Sequence, residues 1–249
     1  MLLFLYMLAA ATVVCLVSLV GGFTLFVKPA LLQRIIQWQV ALAVGVLLGD
    51  AFLHLIPDAI ARIGDLHTVL ALTLVGILLF FLVEKGVRGH HSHRVDAHPV
   101  QPLAKMNLAG DAIHNFLDGI LIAGSFSISP LLGITTTAAI VAHEIPQELG
   151  DVGVLIHGGY SPRRAILVNF LCALTCIAGV VFTFALGAWS DVGFMYLLPI
   201  AAGGFIYIAV SDFIPSLHTM SESSSHWIPQ IASIVIGVGS MQGILFLEM

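Results

Sequence analysis

HNFLDG at positions 114–119 and HEIPQELGD at 143–151 place imidazoles, amides and carboxylates inside runs that are otherwise apolar. Asp111, His114 and Asp118 recur at i, i+3 and i+7 and so share one helical face, with Asn115 beside it. In the second stretch His143 and Gln147 stand at i and i+4. Glu144, Glu148 and Asp151 stand at i, i+4 and i+7, so two adjoining stripes share one helix. Nitrogen and oxygen donors without a thiolate suit borderline divalent ions such as Zn2+, Fe2+ or Mn2+ better than Cu+. Asp118 and Glu144 are placed to bridge two ions, a binuclear site.

Other chemistries fit less well. HEIPQ nearly matches the HExxH of an intramembrane zinc metalloprotease, in which His at i and i+4 hold the metal and Glu is the base. Gln147 stands where the second His is needed, so an enzyme is not expected. Axial haem ligation by His114 and His143 conflicts with the carboxylates around them. A non-transporting membrane metal sensor could use the same ligands and stays open as an alternative.

The elements that must position these groups follow from composition. Of 249 residues, 59% are hydrophobic and 9% charged, which indicates an all-α integral membrane protein. A spanning helix needs about 20 mostly apolar residues. Eight such segments are predicted, at 2–27, 36–57, 66–84, 104–126, 131–157, 163–188, 192–214 and 228–247, in a single polytopic domain over 1–249. The first lacks a basic start and a cleavage site, and is expected to be a retained helix. The net charge of −5 gives no reason to expect a nucleic-acid partner. Its placement is more informative. Lys28, Arg34, Lys85, Arg88, Arg94, Lys105, Arg163 and Arg164 fall on one side and Arg62 on the other, so both termini are expected to be extracytoplasmic.

Ionised carboxylates near mid-bilayer cost about 2.5 to 3.5 kcal/mol each, so Glu144, Glu148 and Asp151 need compensation. The fourth and fifth segments form a hairpin turning near Ser127–Pro130, and His114 and His143 each lie 13 residues from it. At about 1.5 Å per residue both sit roughly 20 Å from the turn, somewhat past the middle of a ~30 Å core. The ligand clusters should therefore face one another, and a bound cation is the favoured compensation. Pro146 is expected to free the carbonyl of residue 142 at the site and to mark a hinge.

Three further features complete the reading. The stretch 86–102 is a cytoplasmic loop in which His90, His91, His93 and His98 could hold or buffer a divalent ion, or serve as a plain linker. HLIPD at 54–58 and DFIPS at 212–216 echo each other in helices of opposite direction, which suggests a 3+2+3 arrangement with an inverted repeat. Cys15, Cys172 and Cys176 lie inside helices. Cys172 and Cys176 are read as small packing residues, and no disulfide is expected.

At HNFLDG, HEIPQELGD and GDAFLHLIPDA (49–59) the chain closely resembles the ZIP family of divalent-metal transporters, over nearly its whole length. The resemblance implies a transport site for two ions at His114, Asn115, Asp118, His143, Glu144 and Gln147. It also implies His54 on the extracytoplasmic side of the pathway, Asn169 at the second ion position, and a homodimer. Gln147 departs from the family's His-rich branch, which has HExPHE, and an amide oxygen is a weaker ligand than imidazole. The function expected is transport of Zn2+, with Fe2+, Mn2+ and Cd2+ as further cargoes, into the cytoplasm across a plasma or bacterial inner membrane. Metal would enter past His54 and Asp58 and bind between the fourth and fifth helices, with Glu148 in reach, by alternating access. Uptake should weaken in acid as protons compete for the imidazoles. With no nucleotide-binding motif and no resident cofactor, the metal gradient or a coupled ion must supply the energy.

Overall fold

A computed structural model describes residues 2–89, 100–185, 191–220 and 227–245, and among them there is no strand. In chain order the helices are α1 (Leu2–Val17), α2 (Pro29–Asp50), α3 (Ile56–Ile63), α4 (Leu66–Gly89), α5 (Val100–Ile128), α6 (Pro130–His157), α7 (Pro162–Ala173), α8 (Thr175–Ala185), α9 (Asp191–Ile208), α10 (Ile214–Met220) and α11 (Trp227–Leu245). Proline opens α2, α6 and α7, where its missing N–H has no partner to lose. Ser129 caps α6 by accepting the Leu132 amide at 3.1 Å. Gly64, at φ 75°, closes α3 in the left-handed conformation. Asp65 then caps α4: the Thr68 hydroxyl and amide hold its carboxyl below the usual carboxylate range.

Among the described residues, five stretches are long and apolar enough to cross a membrane: Leu2–Leu25, Arg34–Ile63, Leu66–Gly86, Pro162–Ala185 and Met195–His218. The ligand-bearing α5 and α6 are long enough as well, but their own carboxylates, imidazoles and amides dilute their apolarity. Large apolar side chains such as Phe26, Trp38, Leu82 and Ile236 point outward, as a lipid environment requires and water does not tolerate over so much surface.

Several spans are not simple α-helices. The first passes from α1 into a 3-10 segment at Ser18–Leu25. The sixth, expected as one helix over 163–188, is broken at Leu174, where the Thr175 hydroxyl donates to the Ala112 carbonyl of α5 at 2.7 Å. The second span runs on past Pro57 to Ile63 through a π-turn at Ala51–Leu55, and the seventh through a π-turn at Ala209–Phe213. In both, the π-turn ends one residue before Ile-Pro. Proline cannot donate to the carbonyl four residues back and its ring crowds that carbonyl. The wider turn absorbs both problems. Pro146 behaves differently. Helix α6 continues through it, so the hinge expected there is not seen as a break.

Glycine sets the closest helix approaches. A Cβ at Gly45 would meet the Ile234 carbonyl oxygen of α11, and one at Gly237 the Leu42 carbonyl of α2. Gly76 of α4 and Gly203 of α9 are related in the same reciprocal way, as are Gly119 of α5 and Gly179 of α8. Gly21, in the 3-10 segment, abuts the Glu148 carbonyl of α6. Small residues of this kind let backbones touch where lipid offers no hydrophobic drive for association. The set follows one register. Gly21, Gly45, Ala51, His54 and Pro57 correspond to Gly179, Gly203, Ala209, Asp212 and Pro215 at one constant offset along the chain.

Candidate metal centre

Helices α5 and α6, joined by the tight turn at Ser129, run antiparallel and bring their polar stripes together. The Nε2 atoms of His114 and His143 lie 3.1 Å apart. Asp118 Oδ2 is 3.3 Å from His143 Nε2 and 3.7 Å from His114 Nε2. Glu144 Oε1 is 3.5 Å from His114 Nε2 and 3.7 Å from His143 Nε2. Two donors at about 2.0 to 2.1 Å on a tetrahedral Zn2+ lie roughly 3.3 Å apart. The four atoms are thus spaced as the corners of one coordination shell. His143 Nδ1 sits 3.0 Å from the Ala139 carbonyl; donating there leaves Nε2 as the ligating nitrogen.

A second group, Asp111, Glu144 and Glu148, adjoins the first and shares Glu144 with it. Asp118 belongs to the first group alone, so Glu144 is the carboxylate placed between the two, whereas the sequence suggested both as bridges. Amides orient the second group. Asn115 donates through Nδ2 to Asp111 Oδ1 at 2.9 Å, and Asn169 of α7 donates to Glu148 Oε2. The oxygen of each amide is buried without a hydrogen-bond partner among the described residues.

The electrostatic balance is lopsided. Asp118 and Glu144, 1% exposed, have no hydrogen-bond donor on either carboxylate oxygen, and Asp111 Oδ2 and Glu148 Oε1 also lack one among the described residues. Among the described residues, the ion pairs of Asp118 and Glu144 are with His114 and His143. Buried acceptor oxygens facing one another without donors are costly unless protons or cations sit among them. The donor set, two imidazoles with carboxylates and amide oxygens, matches a borderline divalent ion.

A cavity of about 780 Å3 reaches the cluster, lined by Asp111, His114, Gln147 and Asp151 from α5 and α6 and by Glu84 and Tyr207 from α4 and α9. Its lining runs toward the end of the helices that carries the 86–102 connection. Gln147 is therefore a cavity-wall residue beside His114. Tyr207 donates through its hydroxyl to Glu84 at the wall. The other expected residues lie apart. His54 is buried against Asp50, with Nδ1 and Oδ1 3.2 Å apart, and joins neither ligand group. Asp58 is half-buried and pairs with Arg62 at 3.9 Å. His90, His91, His93 and His98 lie outside the described residues.

Asp111 was seen on the helical face but not included among the candidate ligands. Equal-depth counting carried three residues further from the hairpin sets Asp111 level with Pro146, within one helical turn of Glu148. The pairing of Asp50 with His54 at i and i+4 was likewise present in the spacing.

Comparison with known proteins gives one family. The profile described as ZIP Zinc transporter matches residues 4–94 and 87–245. Human zinc transporter ZIP4 is 30% identical over 289 residues, covering 86% of this chain and 44% of the relative. Zinc transporter zipt-7.2 of Caenorhabditis elegans is 34% identical over 266 residues, covering 82% of this chain and 57% of the relative. Zinc transporter YKE4 of Saccharomyces cerevisiae is 30% identical over 241 residues, covering 81% and 68%. The chain spans about half the length of the first two relatives.

Proposed function

The chain belongs to the ZIP zinc transporter family, and from that premise we propose that it carries divalent cations, Zn2+ foremost, into the cytoplasm through the cluster between α5 and α6. The observation that carries this reading is the convergence of His114, Asp118, His143 and Glu144 at coordination spacing around oxygens that lack donors. His114, Asp118, His143 and Glu144 hold one ion. Glu144, Glu148 and Asp111 hold the second, with the amide oxygens of Asn115 and Asn169 alongside. Gln147 contacts the ion as it leaves into the cavity, and the His-rich loop receives it.

Eight spans in a 3+2+3 order, with the first three helices repeated inverted by the last three and both termini outside, account for the topology. Support comes from the shared register of glycines and π-turns and from the one-sided basic residues. Alternating access follows from how glycine is used. Glycines whose Cβ would overlap a neighbouring helix, Gly21, Gly45, Gly76, Gly119, Gly179, Gly203 and Gly237 among them, do so within one of two groups, α1 with α5 to α8, or α2 to α4 with α9 to α11. Between the groups α2 packs closely on α6, and His143 meets Phe205 with ring centroids 5.9 Å apart. The two groups are the units that move against one another. With the 86–102 connection in the cytoplasm, the cavity is the inward exit, and the buried Asp50–His54 pair, which does not line it, marks the outer side of the path. A homodimer rests on kinship alone.

Uptake of Zn2+ into proteoliposomes tests the site. Asp118→Ala and His143→Ala should each abolish saturable uptake while the protein stays monodisperse. Unchanged uptake in either would overturn the assignment.

A further inference from the structure

The cavity beside the ligand cluster is far larger than a metal ion. At about 780 Å3 it has the volume of a site for a small organic molecule. Its walls are of two kinds. Phe80, Val83, Leu117, Val154, Ile208 and Phe213 are apolar, and both phenylalanines are buried. Between them stand four carboxylates, Glu84, Asp111, Asp151 and Asp212, and none of the described lining residues is Lys or Arg.

The carboxylates are spread around the walls, not gathered at one point. Of the four, only Asp111 belongs to a described group whose ligand atoms lie close enough to share a metal ion. Glu84 comes from α4, where the Tyr207 hydroxyl of α9 donates to it, and Asp212 comes from the π-turn that follows α9. Asp111 is level with Pro146, so Asp151 stands five residues, roughly 7 Å, further along toward the 86–102 connection. A compact ion cannot touch carboxylates at both levels, whereas an extended cation can. Asp111 adds an independent sign of a missing partner. It is 4% exposed, and its Oδ2 on the cavity wall has no hydrogen-bond donor among the described residues. Clefts whose walls carry one sign of charge over an apolar lining concentrate counter-ions. Aromatic faces such as those of Phe80 and Phe213 add a further attraction for ammonium groups.

We propose that the cavity binds an alkyl diammonium ion, with one ammonium group at Asp111, the other at Asp151 and Glu84, and the methylene chain along the apolar wall. Two charges held apart by methylenes match carboxylates at two depths, which a single inorganic ion does not. Binding itself does not depend on transport. A diammonium ion lodged there from the cytoplasm also slows the release of cargo, a consequence that rests on the reading of the cavity as the exit.

The test titrates the full chain in detergent with α,ω-diaminooctane and, separately, with α,ω-octanediol, which has the same length and no charge. Calorimetry should show the diamine binding one to one and about 10-fold or more tighter than the diol, as charged hydrogen bonds predict. Asp151→Asn and Glu84→Gln should each weaken the diamine by about 10-fold and leave the diol unchanged. With the native cysteines replaced by serine, bound diamine should slow thiol modification of Leu117→Cys, a readout that leaves every carboxylate in place. A diol that binds as tightly as the diamine, diamine binding unchanged in both carboxylate variants, or no protection of Leu117→Cys would overturn the proposal. Asp118 does not line the cavity. Asp118→Ala should therefore lose uptake and keep diamine binding; uptake that persists there with the diamine still bound would sink the metal-site reading and leave this one standing.

Discussion

Glu144 and Asp118 look equivalent in sequence, two carboxylates near mid-helix, but the structure gives them different partners. Glu144 is common to both ligand groups and Asp118 serves one. With two ions bound per wild-type chain at saturation, Asp118→Ala should fall to one, counted by elemental analysis after equilibrium dialysis. Glu144→Ala should retain neither at the same concentration. Equal stoichiometry in the two variants would remove Glu144 as the bridge. Asn169 acts through Glu148 and not as a lone polar residue of its helix. Partners that orient a ligand typically contribute ~10- to 100-fold in affinity. Asn169→Ala should therefore weaken the second ion by about that factor and leave the first unaffected, as two-step titration calorimetry would show. Gln147 sits at the cavity wall beside His114. Gln147→His should raise the preference for Zn2+ over Mn2+ in competition uptake, since imidazole favours the softer ion.

At the scale of elements, the glycines divide into those that a neighbour's backbone requires and those that nothing requires. A Cβ at Gly45, Gly76 or Gly119 would overlap a carbonyl of the facing helix, whereas one at Gly150 meets nothing within 4 Å. Overpacking of this kind costs about 1 to 3 kcal/mol, while Gly→Ala in an open helical position gains roughly 0.5 to 1 kcal/mol. Alanine at each of the first three should lower the melting temperature in detergent, and Gly150→Ala should hold or raise it. A drop of the same size at Gly150 would mean that helix approach is not what the glycines serve. Much of this level was legible beforehand. Run length found the apolar spans, and equal depth from the Ser127–Pro130 turn placed His114 opposite His143. The HLIPD and DFIPS echo suggested an inverted repeat, but not the π-turns that lie at both stretches. Proline announces that one hydrogen bond is missing; only the surrounding packing decides whether the chain answers with a π-turn, as before Pro57 and Pro215, or runs on, as at Pro146. The break at Leu174 was equally hidden, because it depends on the Ala112 carbonyl of another helix accepting the Thr175 hydroxyl. The Cys15 thiol donating to the Ala173 carbonyl was hidden for the same reason, since no local pattern relates positions on the first and sixth spans.

For the whole molecule, the direction in which the cavity opens ties the site to its membrane sides. Its walls include Glu84 near the end of α4, Asn107 near the start of α5 and Val154 near the end of α6, all toward the 86–102 connection. Asp50 and His54 do not line it, and their side chains are 0% and 2% exposed. If the basic residues hold that connection in the cytoplasm, the structure is the inward-open member of an alternating pair. Leu117 lines the same cavity on α5. In a background where the native cysteines are replaced by serine, Leu117→Cys should react with a membrane-impermeant thiol reagent from the face bearing the 86–102 connection. It should react slowly or not at all from the face bearing the Ser127–Pro130 turn. Zn2+ should slow the reaction, because His114 shares that wall. Reaction from the opposite face would invert the topology while leaving the ligand cluster intact. Equal reaction from both faces would mean a continuous pore, in which the two glycine-locked groups need not move at all.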